Sequence, residues 1–598
     1  MLERRAFLKY AFAAVPSVPV LSGCSTPASA VREPGTVASY PIAPDVVTTR
    51  QATVVPGPKP AQPVHLSEAS KFRLYGYGRW TPGPPLKPEV RTDLLPSGHG
   101  APATGRQVKL LSFFTISDIH ITDKEAPNQL IDLGQRYEQV AGVASSLYSP
   151  VMLYTTHVLD AAVQTINALH AKAPFDFGIS LGDACNSTQY NELRWYIDVL
   201  DGKRITPSSG AHLGATTVDY QKPYQAAGLD RSIPWYQTLG NHDHFMIGSI
   251  PVDHSLRSDL RQSYTSSTVF ATGDVIANPT AIAARTDYMG VIDGSTPDGE
   301  IRYAGPVGAF AAPPQVAPDP DRRSLRRQEW MTEFFTTSTS PLGHGFTREN
   351  AGKGFACYSF LPKPTLPLKV IVLDNTQRED DGSTDIHGHG FLDAERWAWL
   401  KAELAAGDAA GQLMVIAAHI PIAVEKTENT MAGETGWWIN PDPRAPVQNA
   451  VDLPGLVAEL HRHPNLLVWL AGHRHLNTVK AFIGPTPEAG FWQVETSSLR
   501  DFPQQLRTFG ILLNSDDSVS VVATNVDPAV REGTPAAKSR TGAIAANQII
   551  KGAGIVFDWN PKQDPSIRKM PTGSYNAELL KPLSPAMAAK MRALFPRA

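Results

Sequence analysis

Segments patterned as strands alternate with segments patterned as helices between residues 108 and 523, and this alternation predicts an α/β layered fold. Two further observations support it. Short polar motifs follow most of the strand-like runs, and in open α/β folds ligands bind at the carboxyl ends of strands. Hydrophobic residues make up 42% of the 598, enough for a core, while 46 Gly and 51 Pro provide for many loops.

Taken in order, residues 1–23 read as an export signal. Arg4 and Arg5 precede Phe7, Leu8 and Lys9, and an apolar stretch follows from Tyr10 to Leu21. Pro16 and Pro19 interrupt it, and it is too short for a membrane span of about 20 residues. The arrangement looks like a twin-arginine signal. Leu21-Ser22-Gly23-Cys24 resembles a lipoprotein cleavage box, with Cys24 as the lipidated first residue and membrane anchor; the plainer alternative makes Cys24 a small residue beside an ordinary cleavage site. The expected location is the periplasm or outer cell surface. Residues 24–105 read as a tether and lead-in with little regular structure.

Residues 108–116 (VKLLSFFTI) form a buried strand by composition, and Val158, Leu159, Ala162, Val163, Ile166 and Leu169 share one face of a helix over 156–171. Strand-length apolar runs recur at 175–181, 234–239, 368–373, 413–418 and 466–471, with helical patterns at 393–406 and 451–461. Residues 510–513 and 518–523, joined by Asn514-Ser515-Asp516-Asp517, are expected to form a hairpin. About 130 residues separate Asn241 from Val370, far more than a βα connection needs. Residues 245–355 are therefore expected to be an insertion or lid, with a smaller insertion at 201–232, in a domain spanning 106–527; residues 528–598 are expected to be a C-terminal extension.

Charge and cysteine content narrow the chemistry. A net charge of −3 with no run of like charges argues against binding a nucleic-acid duplex. Three cysteines cannot build a disulfide framework or a four-thiolate zinc site, so any metal must be held by His, Asp and Asn. Those residues gather in the strand-end motifs Ser117-Asp118-Ile119-His120, Gly182-Asp183-Ala184-Cys185-Asn186, Gly240-Asn241-His242-Asp243, Ala418-His419 and Gly472-His473-Arg474-His475. A glycine stands before Asp183, Asn241 and His473, where a tight turn must aim a side chain at a shared centre. Two divalent cations roughly 3.5–4 Å apart suit attack on phosphorus, yet repel by roughly 20 kcal/mol at an effective dielectric of about 20. An anion must bridge them. A carboxylate can place one oxygen on each ion, and Asp183 is the natural candidate, alongside a bridging hydroxide that serves as nucleophile. Nitrogen and oxygen donors of this kind suit Zn, Mn or Fe.

The ordered set D-x-H, G-D-x-x-N, G-N-H-D, H and G-H-x-H resembles the calcineurin-like metallophosphoesterase family over residues 108–500, and most closely a twin-arginine-exported bacterial subgroup with long insertions. The resemblance implies a four-layer α/β/β/α sandwich and two divalent or trivalent metal ions. It implies Asp118, His120, Asp183 and His475 around one ion, and Asp183, Asn241, His419 and His473 around the other. It also implies that His242 contacts the phosphoryl oxygen or protonates the leaving group, with Asp243 orienting its ring. Asn186 stands where purple acid phosphatases have Tyr, which argues against an iron–tyrosinate site. The expected activity is hydrolysis of phosphate mono- or diesters, on a small-molecule ester or a lipid-linked phosphate. The alternative is a non-catalytic, metal-stabilised surface lipoprotein that binds a phosphorylated ligand; the intact pair His242 and Asp243 argues against it.

Several residues near the motifs carry two readings. Asn186 either caps the next helix or contacts substrate. Arg500 is either a phosphate partner or an ordinary rim arginine, with Ser497 and Asp501 beside it. Trp437 and Trp438 either wall a pocket or belong to the core. Asn477 and His244 are expected to be structural or substrate-facing, Cys185 a buried thiol, and His387 and His389 loop residues rather than a further metal site.

Overall fold

The computed structural model describes residues 37–96, 107–137, 147–251, 264–274, 284–381, 388–423, 436–550 and 573–596. The expected export signal, Cys24 and His387 lie outside these residues. Two sheets face each other. The first has seven strands in the order Glu89–Arg91, Ala577–Pro582, Ser518–Val526, Leu506–Asn514, Gln107–Ile116, Phe177–Ser180 and Trp235–Gln237. The second has six, in the order Tyr358–Phe360, Leu368–Leu373, Leu413–Ala418, Leu466–Ala471, Phe491–Glu495 and Val479–Phe482. Gln107–Ile116, Phe177–Ser180 and Trp235–Gln237 run parallel, as do Leu368–Leu373, Leu413–Ala418, Leu466–Ala471 and Phe491–Glu495.

Side-chain alternation along the strands builds the layers. Phe113, Phe177 and Phe509 sit in register and stack with centroids 4.7 and 4.9 Å apart, and Phe177 meets Phe360 of the opposite sheet edge-on at 5.4 Å. Phe114 and Ile116 point the other way, into the same apolar cluster as Val158, Leu159, Ala162 and Ile166 of the helix Thr155–Lys172. In the second sheet Val370, Val372, Val415 and Ala417 join the inter-sheet core. Their neighbours Ile371, Leu373, Met414 and Ile416 pack on Leu400 and Leu404 of the helix Ala394–Ala409 and on Leu456 and Leu460 of the helix Leu453–Leu460. The molecule is thus an α/β/β/α sandwich. Among the described residues no helix is long and apolar enough to cross a membrane.

Three parts of the chain depart from the sequence expectations. The segment after Asp527 supplies an inner strand, Ala577–Pro582, which pairs along Ser518–Val526 and, on its other side, with Glu89–Arg91. Residues on both flanks of the expected domain therefore complete its sheet, because a nine-residue strand at Ser518–Val526 needs a partner for its second edge. The lead-in also holds a short strand at Thr53–Pro56 and a helix at Ala69–Tyr75. Finally, residues 245–355 are not wholly an appendage. Leu325, Trp330, Met331, Phe334, Phe346 and Ala351 are buried in the main core, so the latter part of the segment is core, while the three-stranded sheet of Ala271–Thr272, Asp287–Ile292 and Ile301–Pro306 packs into smaller clusters outside it.

Candidate metal centre

The parallel strands of both sheets point their carboxyl ends at one place, and the five polar motifs meet there. Asp118 and His120 follow Gln107–Ile116, Asp183 follows Phe177–Ser180, Asn241 and His242 follow Trp235–Gln237, His419 follows Leu413–Ala418, and His473 and His475 follow Leu466–Ala471. Asp118, His120, Asp183, His473 and His475 all adopt positive φ, between 46° and 73°. Non-glycine residues in that region cost about 1 kcal/mol or more each, so neighbouring contacts must hold them there. Asp118 N–H donates to Gly182 O at 3.1 Å and His120 N–H to Asp183 O at 3.0 Å, which lock the first two motifs together.

Two cups of donors share Asp183. On one side His475 Nε2 lies 3.4 Å from Asp118 Oδ1 and 3.1 Å from His120 Nε2, and His120 Nε2 lies 3.7 Å from Asp183 Oδ2. On the other, His419 Nε2 lies 3.2 Å from the same Asp183 Oδ2 and 3.0 Å from Asn241 Oδ1, and His473 Nδ1 lies 3.1 Å from Asn241 Oδ1. Asp118, His120 and His475 form one group able to hold a metal ion, and Asp183, His419 and His473 another. Two imidazole nitrogens facing each other at 3.1 Å need a proton or a cation between them, which is the arrangement a metal ligand set presents. Burial disfavours charge on Asp183, yet His419 and His242 outweigh it and hold the carboxyl well below the usual carboxylate range. Burial likewise pulls His475 down, but Asp118 and Asp501 reverse the effect and hold it up at about 10. Cationic charge is therefore favoured around these carboxylates, and metal ions can supply it in place of protons.

His242 is aimed differently from the expectation. Its Nδ1–H donates to the backbone carbonyl of Asn186 at 2.7 Å, and Asp243 does not orient its ring. Asp243 instead accepts the backbone N–H groups of Asp183, Ala184, Cys185 and Gly240 at 2.8–3.1 Å, tying two motifs together. The cause is local: Asn241–Asp243 is a 3₁₀ turn, in which successive side chains point about 120° apart. Burial holds His242 below its ordinary value despite Asp183, and with Nδ1–H given to Asn186, Nε2 is the nitrogen left to exchange a proton. Asn186 caps no helix, since the following helix starts at Tyr190 after Gln189.

The remaining sequence candidates sort by burial. Arg500 is 1% exposed, not on a rim, and its charge acts on His120 and is favoured by Asp501 and Glu192. Trp438 is core, donating its indole N–H to Val451 O at 3.0 Å, whereas Trp437 is half-buried at the edge of the centre, 5.8 Å from His473 and 4.9 Å from His389 between ring centroids. Gly388 packs against His473 and Asn241, which places the described part of the glycine-flanked histidine pair at that same edge. Asn477 is structural, bonding Gln505, Gly573 and Ser497. His244 is buried between Glu379 and Thr376.

Two contributors escaped sequence reading. Asn375 exchanges hydrogen bonds with the backbone of Ile420, its Nδ2–H to the carbonyl at 2.7 Å and its Oδ1 from the N–H at 3.1 Å, and so anchors the loop that carries His419. It follows the strand Leu368–Leu373, so the strand-end rule applied to Asp374-Asn375 was the available signal. Gly248, in the turn of the hairpin Phe245–Met246/Ile250–Pro251, accepts Asn241 Nδ2–H at 3.0 Å and so turns Asn241 Oδ1 towards His419 and His473.

Among solved structures, the chain is similar to a dimetal phosphatase from Danio rerio, with 12% identity, a TM-score of 0.33, and 70% of this chain and 97% of that chain covered. No family model and no curated protein matches the sequence.

Proposed function

We propose that the protein is a metal-dependent phosphoesterase. The observation that carries this reading is the convergence of the Asp118 carboxylate, four imidazoles and the Asn241 carboxamide around the buried Asp183 at the ends of the parallel strands of two sheets. In this reading Asp118, His120, Asp183 and His475 hold one ion, and Asp183, Asn241, His419 and His473 hold a second; the donor set suits Mn, Zn or Fe. Bound there, such ions supply Lewis acidity and make water a better nucleophile at neutral pH.

The chain's own residues then bind and orient. The backbone N–H of His242 donates to Asp183 Oδ1 at 2.8 Å, which leaves Oδ2 to the two imidazoles that approach it. With Nδ1–H committed to Asn186, His242 can move a proton only through Nε2, on the leaving-group or phosphoryl oxygen of a substrate. Trp437 stands 5.8 Å from His473 between ring centroids, and a small-molecule phosphate ester or a lipid-linked phosphate both fit this reading, as monoester or diester. Arg4, Arg5 and Cys24 support export and a lipid tether, which would bring such an enzyme to the membrane surface.

The test is hydrolysis of p-nitrophenyl phosphate and bis-p-nitrophenyl phosphate by the purified chain with Mn, Zn or Fe, beside Asp183→Asn and His242→Ala. Turnover that both substitutions abolish supports the reading, and the preferred ester decides between phosphatase and phosphodiesterase. A metal-loaded protein that hydrolyses neither ester refutes it in this form and leaves the binding of a phosphorylated ligand in its place.

A further inference from the structure

The imidazoles around Asp183 are supported from behind in different ways. His419 Nδ1–H donates to the backbone carbonyl of Leu181 at 2.8 Å. His120 Nδ1 is buried and has no hydrogen-bond partner among the described residues. His475 meets a carboxylate: its Nδ1 lies 2.7 Å from Asp501 Oδ2, with side-chain exposures of 6% and 5%. An imidazole that gives its Nδ1–H to a carboxylate is fixed as the tautomer with its lone pair on Nε2, and the negative charge makes that lone pair more basic. Nε2 is the nitrogen that faces Asp118 and His120.

Asp501 is itself held in place. Its backbone N–H and that of Arg500 donate to Ser498 Oγ at 3.2 and 2.8 Å, and its carbonyl accepts Gln504 N–H at 2.7 Å. Ser498 Oγ–H donates in turn to the backbone carbonyl of Asp118 at 2.7 Å. The loop that carries Asp501 is thus tied to the strand end that carries Asp118, so carboxylate, imidazole and Asp118 keep one geometry. Asp501's side chain hydrogen-bonds His475, and its charge also acts on the buried guanidinium of Arg500.

We infer that Asp501 is a positioning residue that sets metal affinity at one of the two positions, the one formed by Asp118, His120 and His475, while leaving the position of Asn241, His419 and His473 unchanged. The inference rests on the two-ion reading above. An outer carboxylate of this kind typically contributes about 10–100-fold in metal affinity.

The full-length protein, stripped of metal with a chelator, is titrated with Zn²⁺ alone by calorimetry, and bound zinc is counted by elemental analysis. Asp501→Asn keeps the volume and an acceptor for Nδ1–H but loses the charge; Asp501→Ala loses both. The wild type is expected to take two equivalents. Asp501→Asn is expected to take one at wild-type affinity and the other about 10–100-fold more weakly, with Asp501→Ala weaker still at that same equivalent, and with the melting temperature of metal-free Asp501→Asn unchanged. Two equivalents at wild-type affinity in both variants, or equal weakening of both equivalents, would overturn the inference. A wild type that takes fewer than two equivalents overturns the two-ion reading itself, independently of the Asp501 variants.

Discussion

Gly248→Ala tests whether the hairpin over Asn241 and His242 is part of the centre. Gly248 has φ +66°, and a Cβ added there would lie 2.2 Å from His242 Nε2, 2.4 Å from His242 Cδ2 and 2.6 Å from Asn241 Nδ2. Two costs follow. An alanine in the left-handed region costs about 1–2 kcal/mol in backbone strain. Relieving the contact with Nε2 requires a shift of roughly 1 Å, either of the imidazole or of the hairpin, and misplacement on that scale costs about 100-fold in rate. If the hairpin lifts instead, the Asn241 Nδ2–H to Gly248 carbonyl bond breaks and Asn241 Oδ1 loses its fixed direction. Gly533→Ala is the control, because Gly533 has φ +81° with nothing within 4 Å of the added Cβ, and so carries the backbone cost alone. Both variants should lose stability in thermal melts, Gly248→Ala the more because it must also relieve the contact, while only Gly248→Ala should lose about 100-fold in p-nitrophenyl phosphate turnover and bind metal more weakly. Equal turnover and metal content in the two alanine variants would refute the reasoning.

Other substitutions probe separate parts of the structure. Gly472→Ala has ordinary φ but places Cβ 1.9 Å from Ser117 Oγ and 2.5 Å from Asp118 Oδ2, so elemental analysis should find less bound metal at little cost in backbone strain. Trp330→Ala removes a fully buried core side chain from the segment expected to be an insertion, and denaturant unfolding should lose about 3–5 kcal/mol; a loss below about 1 kcal/mol would return that segment to the periphery. Lys581 donates to the carbonyls of Glu488 (2.6 Å) and Gly490 (2.5 Å), and Lys581→Met should cost about 2 kcal/mol or more by stranding two buried acceptors. Burial pulls Lys581 down to about 7 from an ordinary 10.5, so between those values the unfolded chain holds a proton that the folded chain has released. Stability from this group therefore rises with pH above about 7, and the advantage of wild type over Lys581→Met should grow between pH 7 and 9 by up to about 1.4 kcal/mol per unit; an advantage that shrinks over that interval would contradict the burial argument.

Much of the layered fold could be read from the chain because its signals are local. The apolar runs at 108–116, 368–373, 413–418 and 466–471 are of strand length, and helical periodicity at 156–171 is visible within a few turns; each depends on residues close in sequence. The motifs around Asp118, Asp183, Asn241, His419 and His473 were legible for the same reason, since each lies just after a strand and the ends of parallel strands share one side of a sheet. The strand Ala577–Pro582 was not legible: a six-residue segment far from its partner strand carries no mark of which edge it will join.

The alternation of apolar runs and the placing of metal-binding residue types at strand ends were determined by the sequence itself, because side-chain period and chain direction are properties of a short stretch of backbone. Only the tertiary structure decided that His242 hangs from the carbonyl of Asn186, that Asp243 clamps four amides instead of an imidazole, that Asn375 anchors the loop of His419, and that Asp501 backs His475. Each of those pairings joins groups brought together by packing. A donor's choice among acceptors depends on distance and direction within a fraction of an ångström, which sequence spacing does not encode.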